Sequence, residues 1–413
     1  MEPIKQNSRF KLLGQIVSIW RKFIQGGGER AKEVSEKIWQ IDNPYKPDCV
    51  LEPELNDDGL FVGRGDLVLS LKESLDRGNY RPVLFLCGER RMGKSSLLKY
   101  LPVKLGSHYL PVIYDLQRRD VSFSTFALLS TIAEEVYKEA ELSGIVVKRL
   151  SDTFLKDASE RNDATIYYVL DGWLKNLERV LEYEHSILLL IFDGYERLDD
   201  AGQEGYLNLR LLLDWFRSIS QNHPQLALLF SGVQTLGEMK MNWSGYFINA
   251  QILKISFLQE REARDLILTP IPNYPGEQVF NEEVVEEIVR VTGCHPFLLQ
   301  ALCSTLINNL NTLGQGSIEV HDVSMAVSQL IHHWSPYFRD LWERTDQNQR
   351  RCLRAIRSLE KSSLQEIIQR CGIDEKVARD ALQTLLRRDL IIFDKQNYQV
   401  SIPILGEWIK YND

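Results

Sequence analysis

Two stretches of the sequence carry residues whose types and spacing could do chemistry on a polyphosphate. The first is Gly88-Glu-Arg-Arg-Met-Gly93-Lys94-Ser95, which fits GxxxxGK[ST]. Glycines let such a loop curl until its backbone N–H groups surround phosphate oxygens, and the helix that opens there adds its positive dipole end. A lysine in the position of Lys94 reaches the β- and γ-phosphates, and a hydroxyl in the position of Ser95 ligates Mg²⁺. Gly88, Arg91, Met92, Gly93, Lys94, Ser95 and Ser96 are therefore the expected nucleotide contacts. The second stretch is the apolar run Ser186–Phe192 ending in Asp193. A carboxylate at such a strand end holds Mg²⁺ through water and orients the γ-phosphate. Glu196, three residues on, is the candidate base that polarises the attacking water. Ser231, at the end of a further apolar run, either senses the γ-phosphate or caps a turn. No Asn-Lys-x-Asp stretch occurs, so ATP and ADP are expected rather than guanine nucleotides.

These residues need a scaffold, and the apolar pattern supplies one. Short continuous apolar runs at Pro82–Cys87, Pro111–Asp115, Ser186–Phe192, Gln225–Phe230 and Ile252–Phe257 alternate with helical patterns. Strands that are apolar throughout imply a parallel sheet covered by helices on both faces, an α/β class. The loop at Gly88 follows the first run and opens a helix over 94–105, the context its chemistry requires. From Gln259 to Ile331 the pattern is helical only. The last stretch reads as helices at Gln347–Leu359, Ser363–Cys371 and Asp374–Arg388, then short strands at Leu390–Asp394 and Tyr398–Ile402. Three helices followed by a two-stranded wing is a winged-helix pattern. The expected organisation is 1–42 basic lead and linker, 43–258 α/β core, 259–334 helical lid and 335–413 winged helix.

Length and composition set outer limits. The chain has 413 residues, a net charge of −8, 44% hydrophobic and 26% charged residues. This is ordinary globular usage, which excludes a disordered or collagen-like chain. Its six cysteines form no CxxC, so no zinc knuckle or thioredoxin-type motif is visible. With no secretory signal and no long apolar span, a cytoplasmic protein is expected. The acidic average hides two basic segments. Residues 1–40 carry a net excess of four positive charges, with Phe10, Leu13, Val17, Trp20 and Ile24 at helical spacing. That stretch reads first as packing on its own protein or as a loose terminus. The alternative is docking on an anionic membrane or in a partner groove. Residues 350–388 carry a net excess of five, and Lys376, Arg379, Arg387 and Arg388 could meet DNA phosphates. Asp374, Glu375 and Asp380 share that helix, so a solvated face or a protein-binding lid is the competing reading.

Taken together, these motifs resemble those of an AAA-like P-loop ATPase of the STAND group, the signal-transduction ATPases with numerous domains. The similar branch occurs in archaeal and cyanobacterial genomes and is related to the ATPase core of origin-recognition proteins. The resemblance covers roughly residues 43–410. It rests on Asn43-Pro44-Tyr45 with Phe61-Val62-Gly63-Arg64, on Gly88–Ser95, on Phe192–Glu196, and on Thr292-Gly293-Cys294-His295-Pro296 running on to Gln300. Trp342 and the C-terminal winged helix fit the group's lid extension. The resemblance implies that Gly63 and Arg64 lie near the base and that Pro296 packs on it, linking nucleotide to lid. Departures are Cys294 in place of a second glycine, Gly194 directly after Asp193, and Arg197 where many members have an acid. No arginine finger stands out.

The function implied is a nucleotide-controlled switch with slow hydrolysis, acting with an unidentified protein partner or through nucleotide-dependent self-assembly in signalling or defence. A DNA-binding ATPase using the winged helix and a nucleotide-stabilised scaffold without turnover are the alternatives.

Overall fold

The computed structural model describes residues 40–55, 57, 59–78, 81–117, 124–359 and 362–412. The basic segment Phe10–Ile24 lies outside them. Among the described residues no helix is long and apolar enough to cross a membrane.

A five-stranded sheet forms the first half. Helix α1 (Gly65–Leu75) precedes β1 (Leu84–Cys87), which runs through the Gly88–Gly93 loop into α2 (Lys94–Leu105). Next come β2 (Tyr109–Asp115), α3 (Thr125–Leu142), α4 (Asp152–Arg161), α5 (Asp163–Tyr183) and β3 (Ile187–Asp193). Helices α6 (Glu196–Gln203) and α7 (Leu209–Asn222), β4 (Leu226–Gly232) and β5 (Gln251–Lys254) complete it. Every pairing is parallel and the strand order is β2-β3-β4-β1-β5. The chain leaves β1 and crosses two strands before laying down β2. The C-terminal ends of β1, β4 and β3 therefore lie side by side, where ligands bind in such sheets.

The continuous apolar strands follow from double coverage. Successive side chains point to opposite faces. Phe85, Val112, Leu190 and Phe230 pack with α3, α5 and α7 on one face. Leu84, Leu86, Ile191 and Leu229 pack with α1 and α2 on the other. Strand boundaries differ from the expected runs by one to three residues, because hydrogen bonding and not hydropathy ends each strand.

The second half is helical: α8 (Glu260–Leu268), α9 (Glu282–Thr292), α10 (Pro296–Leu313), α11 (Val320–His333) and α12 (Ser335–Glu343). It is not purely so, since Phe280 and Ile318 form a parallel bridge between loops. Then follow α13 (Gln347–Leu359), α14 (Leu364–Cys371) and α15 (Glu375–Arg387). Strands β6 (Ile391–Asp394) and β7 (Asn397–Val400) form an antiparallel ribbon, and Ser362 bridges to Tyr398 beside it. Its turn, Lys395-Gln396, has φ of 46° and 70° without a glycine. Two left-handed residues match the twist of a tight hairpin. A final helix, α16 (Pro403–Asn412), was not expected from sequence. It is short, and it forms because Ile404, Leu405, Trp408 and Ile409 are buried in one apolar cluster with residues of α9 to α15. That single cluster also includes Tyr45, Leu51 and Leu60 from the lead-in segment.

Candidate active site

The register puts Asp193 of β3 beside Ser231 of β4, and Gly232 beside Cys87 of β1. The phosphate loop, Ser231 and Asp193 thus stand in a row along one sheet edge. Ser95 Oγ donates to Asp193 Oδ2 at 2.7 Å and Ser231 Oγ donates to Asp193 Oδ1 at 2.8 Å. Ser231 is fully buried in this arrangement. Lys94 Nζ folds back onto the Gly88 and Glu89 carbonyls, 2.8 Å from each. Burial lowers the Lys94 pKa, against the pull of Asp193, Glu196 and Glu89. Glu196 begins α6 and turns its carboxylate to the loop after β4, where Oε1 accepts from the Val233 and Gln234 N–H groups. A side chain on Gly232 would overlap that carboxylate and displace it.

The loop itself is shaped by two backbone needs. A Cβ on Gly88 would overlap the Ile255 carbonyl oxygen. Gly93 has φ 87° and Arg91 φ 66°, both left-handed. Ser96 Oγ accepts from the Leu51 N–H at 3.1 Å, tying the start of α2 to the lead-in segment.

Beside the loop lies a cavity of ≈ 270 Å³. Met92, Gly93, Lys94, Ser95 and Ser96 line one side, Arg64, Phe61 and Leu258 another, and Pro296, Phe297 and Gln300 close it from α10. The amide of Lys46, also at its rim, donates to Gln300 Oε1 at 2.9 Å. A second cleft of ≈ 510 Å³ on the far side of Ser95 reaches Asp193 and Asp115. The expected residues Met92, Gly93, Lys94, Ser95, Ser96, Arg64 and Pro296 therefore come together around one opening. Gly63, Arg64 and Arg91 each make contacts that the motifs did not foretell. Gly63 faces Glu262, whose carboxylate a side chain there would strike. The Arg64 guanidinium points along the loop and donates to the carbonyls of Ser256 (2.8 Å) and Met92 (3.0 Å). Arg91 also lines the cavity, and its guanidinium lies over Phe297, 4.3 Å from the ring centre, and over Trp334 at 4.9 Å.

Motif reading missed contacts between the loop and the helical half. Glu89, within the phosphate loop, is only 5% exposed. Its Oε2 accepts from Arg344 at 2.6 Å and its Oε1 from Arg388 at 2.7 Å. Burial alone would raise the Glu89 carboxyl, but Arg388 and Arg344 overrule it and hold it below the usual range. Arg90 pairs with Asp340 at 3.1 Å. His295 is buried beside the loop, shares a 2.8 Å hydrogen bond with the Tyr337 hydroxyl, and is pushed down to about 3 by burial. Nothing in a local motif marks Arg344, which meets its partner across 255 residues of chain. The alternation Glu89-Arg90-Arg91 was the available signal.

Of the basic residues read as DNA contacts, Arg388 is the one turned inward; Lys376, Arg379 and Arg387 stay at the surface. Arg388 is held by Glu89, Arg387 by Glu238 at 2.6 Å, and Arg379 by Glu375 of its own helix at 2.6 Å.

No protein-family model matches the chain. No curated protein matches it either. Solved structures do. A Walker-type ATPase of Pyrococcus abyssi is 16% identical, with TM-score 0.59 over 85% of this chain and 96% of that one. The ORC2 protein of Aeropyrum pernix, solved in ADPNP and ADP complexes, is 14% identical, with TM-score 0.51 over 84% of this chain and 94% of that one. At such low identity the likeness speaks to architecture, and it shows an α/β fold of the P-loop NTPase type with a C-terminal helical region.

Proposed function

We propose that the chain is an ATP-binding molecular switch with slow, Mg²⁺-dependent hydrolysis. The observation that carries this reading is the grip on the phosphate loop. Each variable residue from 89 to 91 holds the helical half: Glu89 on Arg344 and Arg388, Arg90 on Asp340, and Arg91 on Phe297 and Trp334. A loop built to contact phosphates is thereby also built to feel the position of the lid. In this reading 43–258 is the α/β core, 259–334 the lid and 335–413 a winged helix, in the manner of STAND ATPases.

The residues divide the work. Backbone N–H groups of the loop and the start of α2 hold the phosphates, and Lys94 moves from the Gly88 and Glu89 carbonyls to the β- and γ-oxygens. The oxygens of Ser95 and Asp193, 2.7 Å apart, are hard donors of the kind Mg²⁺ takes. Ser95 and Asp193 would hold a Mg²⁺ ion, which would supply neutralisation of the phosphate charge. Ser231 orients Asp193. Glu196 polarises the attacking water while its Oε1 stays on the Val233 and Gln234 amides. Pro296 and Arg64 bound the base cavity, so base contact reaches α10 directly. Nucleotide shifts the equilibrium between closed and open forms by its differential affinity for the two. The open form engages a protein partner or a second copy of this chain.

Lys94→Ala should abolish ATP binding in a titration with fluorescent ATP, and retained affinity would sink the site assignment. Glu196→Gln should lower steady-state turnover by about 100-fold while leaving binding intact. Equal inactivity of wild type and Glu196→Gln, with ATP still raising the melting temperature, would identify a scaffold instead.

A further inference from the structure

A carboxylate inside a phosphate loop is a liability. Glu89 lies directly after the first glycine of the loop, and its own carbonyl accepts from Lys94 Nζ at 2.8 Å. Its negative charge repels phosphates and attracts the lysine that phosphates need. In the closed arrangement that charge is cancelled twice, by Arg344 at the end of α12 and by Arg388 at the end of α15. The two arginines form one package. Arg388 donates to the Arg344 carbonyl at 2.9 Å, and Arg344 is braced by Asp340 at 3.1 Å. Both belong to the C-terminal region and neither to the α/β core, so they leave Glu89 together when that region moves away.

We propose that Glu89 is an electrostatic release gate, neutralised by Arg344 and Arg388 in the closed form and expelling nucleotide when the C-terminal region departs. This rests on the ATP-binding reading above and gives it a direction: closure favours tight binding, and opening favours release. The uncancelled carboxylate competes with the phosphates for Lys94, and it repels a triphosphate more than a diphosphate. The pairing is more than structural glue, since a structural ion pair could sit anywhere on this interface, whereas this one sits where an unpaired charge acts on the ligand.

The experiment is a charge cycle read by anisotropy of fluorescent ATP and ADP, each with Mg²⁺. The double variant R344Q/R388Q should bind ATP about tenfold more weakly than wild type and ADP with a smaller loss. Adding E89Q to it should restore ATP affinity to within about twofold of wild type, because the repelling charge is gone. A double variant that binds ATP as wild type does, or a triple variant that stays as weak as the double, overturns the gate. The triple variant leaves no buried charge unpaired and so tests folding as well. If R344Q/R388Q does not fold, R344Q alone should weaken ATP by about threefold with rescue by E89Q, and absent rescue overturns the proposal. A wild type that binds no ATP sinks the nucleotide reading itself, whereas a binding wild type without rescue sinks only the gate.

Discussion

Position 294 shows how much a single backbone angle constrains. Gly293 and Cys294 both adopt left-handed φ, 58° and 59°, between α9 and α10. At Gly293 a side chain would overlap the Ser401 carbonyl oxygen, so glycine there is required by the approach of the C-terminal region. Cys294 meets no such wall, and its carbonyl accepts from the Leu258 N–H at 3.0 Å, joining lid to core. A non-glycine residue in this conformation costs about 1–2 kcal/mol. Cys294→Gly should therefore raise unfolding free energy by about 1 kcal/mol in urea titrations, less the packing lost with the partly buried thiol. A clear loss of stability would show that the thiol contributes more than the angle costs. The departure at Cys294 was legible in the sequence, but its consequence was not, because the backbone angle is set by two segments distant from it.

Among elements, the junction of α7 with β4 carries a charged staple far from the phosphate loop. The His223 side chain is fully buried between Glu178 Oε2 (3.0 Å from Nδ1) and Asp171 Oδ1 (2.9 Å from Nε2), both on α5. Glu178 also accepts from the Gln225 N–H, with Arg81 nearby, and Asp171 pairs with Lys175 at 2.9 Å. Burial disfavours the imidazolium, but hydrogen bonds to Glu178 and Asp171 outweigh it and raise the pKa. A folded pKa above the unfolded value of about 6.5 means the staple stabilises fully below that pH and fades as pH rises through the folded pKa. His223→Gln should cost about 1–3 kcal/mol at pH 6 and less at pH 9, by urea unfolding at each pH. An equal cost at both would show that packing, not charge, matters there. Strands β1 to β4 were visible as apolar runs because both sheet faces are covered there, whereas the edge strand β5 is largely exposed. Helix α16 was not, because only its burial against distant helices explains it.

At the scale of the whole molecule two kinds of contact join the halves. One continuous apolar cluster spans the helices from 260 to 412 and takes in Tyr45, Leu51, Leu60, Tyr100 and Leu258 from the first half. Between the α/β core and the C-terminal region the contacts are largely charged: Glu89 with Arg344 and Arg388, Glu238 with Arg387, Lys254 with Asp389, Arg90 with Asp340. Salt screens the more exposed pairs, Arg90–Asp340, Arg387–Glu238 and Lys254–Asp389, and acts much less on the buried Glu89–Arg388 pair. Raising KCl should therefore loosen the closure and enlarge the radius of gyration of the nucleotide-free protein in small-angle scattering. An unchanged radius at high salt would place the hinge elsewhere. The same ionic seam buries Arg388, so a duplex could meet that residue only after the seam parts, whereas Arg387 is already at the surface.

By itself, the sequence determined the α/β class and marked the glycine-rich loop and the acidic strand end as the candidate site. These are local: a turn that needs glycine, a hydroxyl beside a lysine, and strands apolar on both faces are written in consecutive residues. Only the tertiary structure decided the strand order that lines up Gly88, Ser231 and Asp193, and the partners of Glu89, Arg387 and Arg388. A carboxylate and an arginine 299 residues apart in the chain carry no mark of each other until packing brings them to 2.7 Å. One member of the basic run, Arg388, is turned inward onto Glu89 while Lys376, Arg379 and Arg387 stay at the surface, a division that depends on packing and not on charge count.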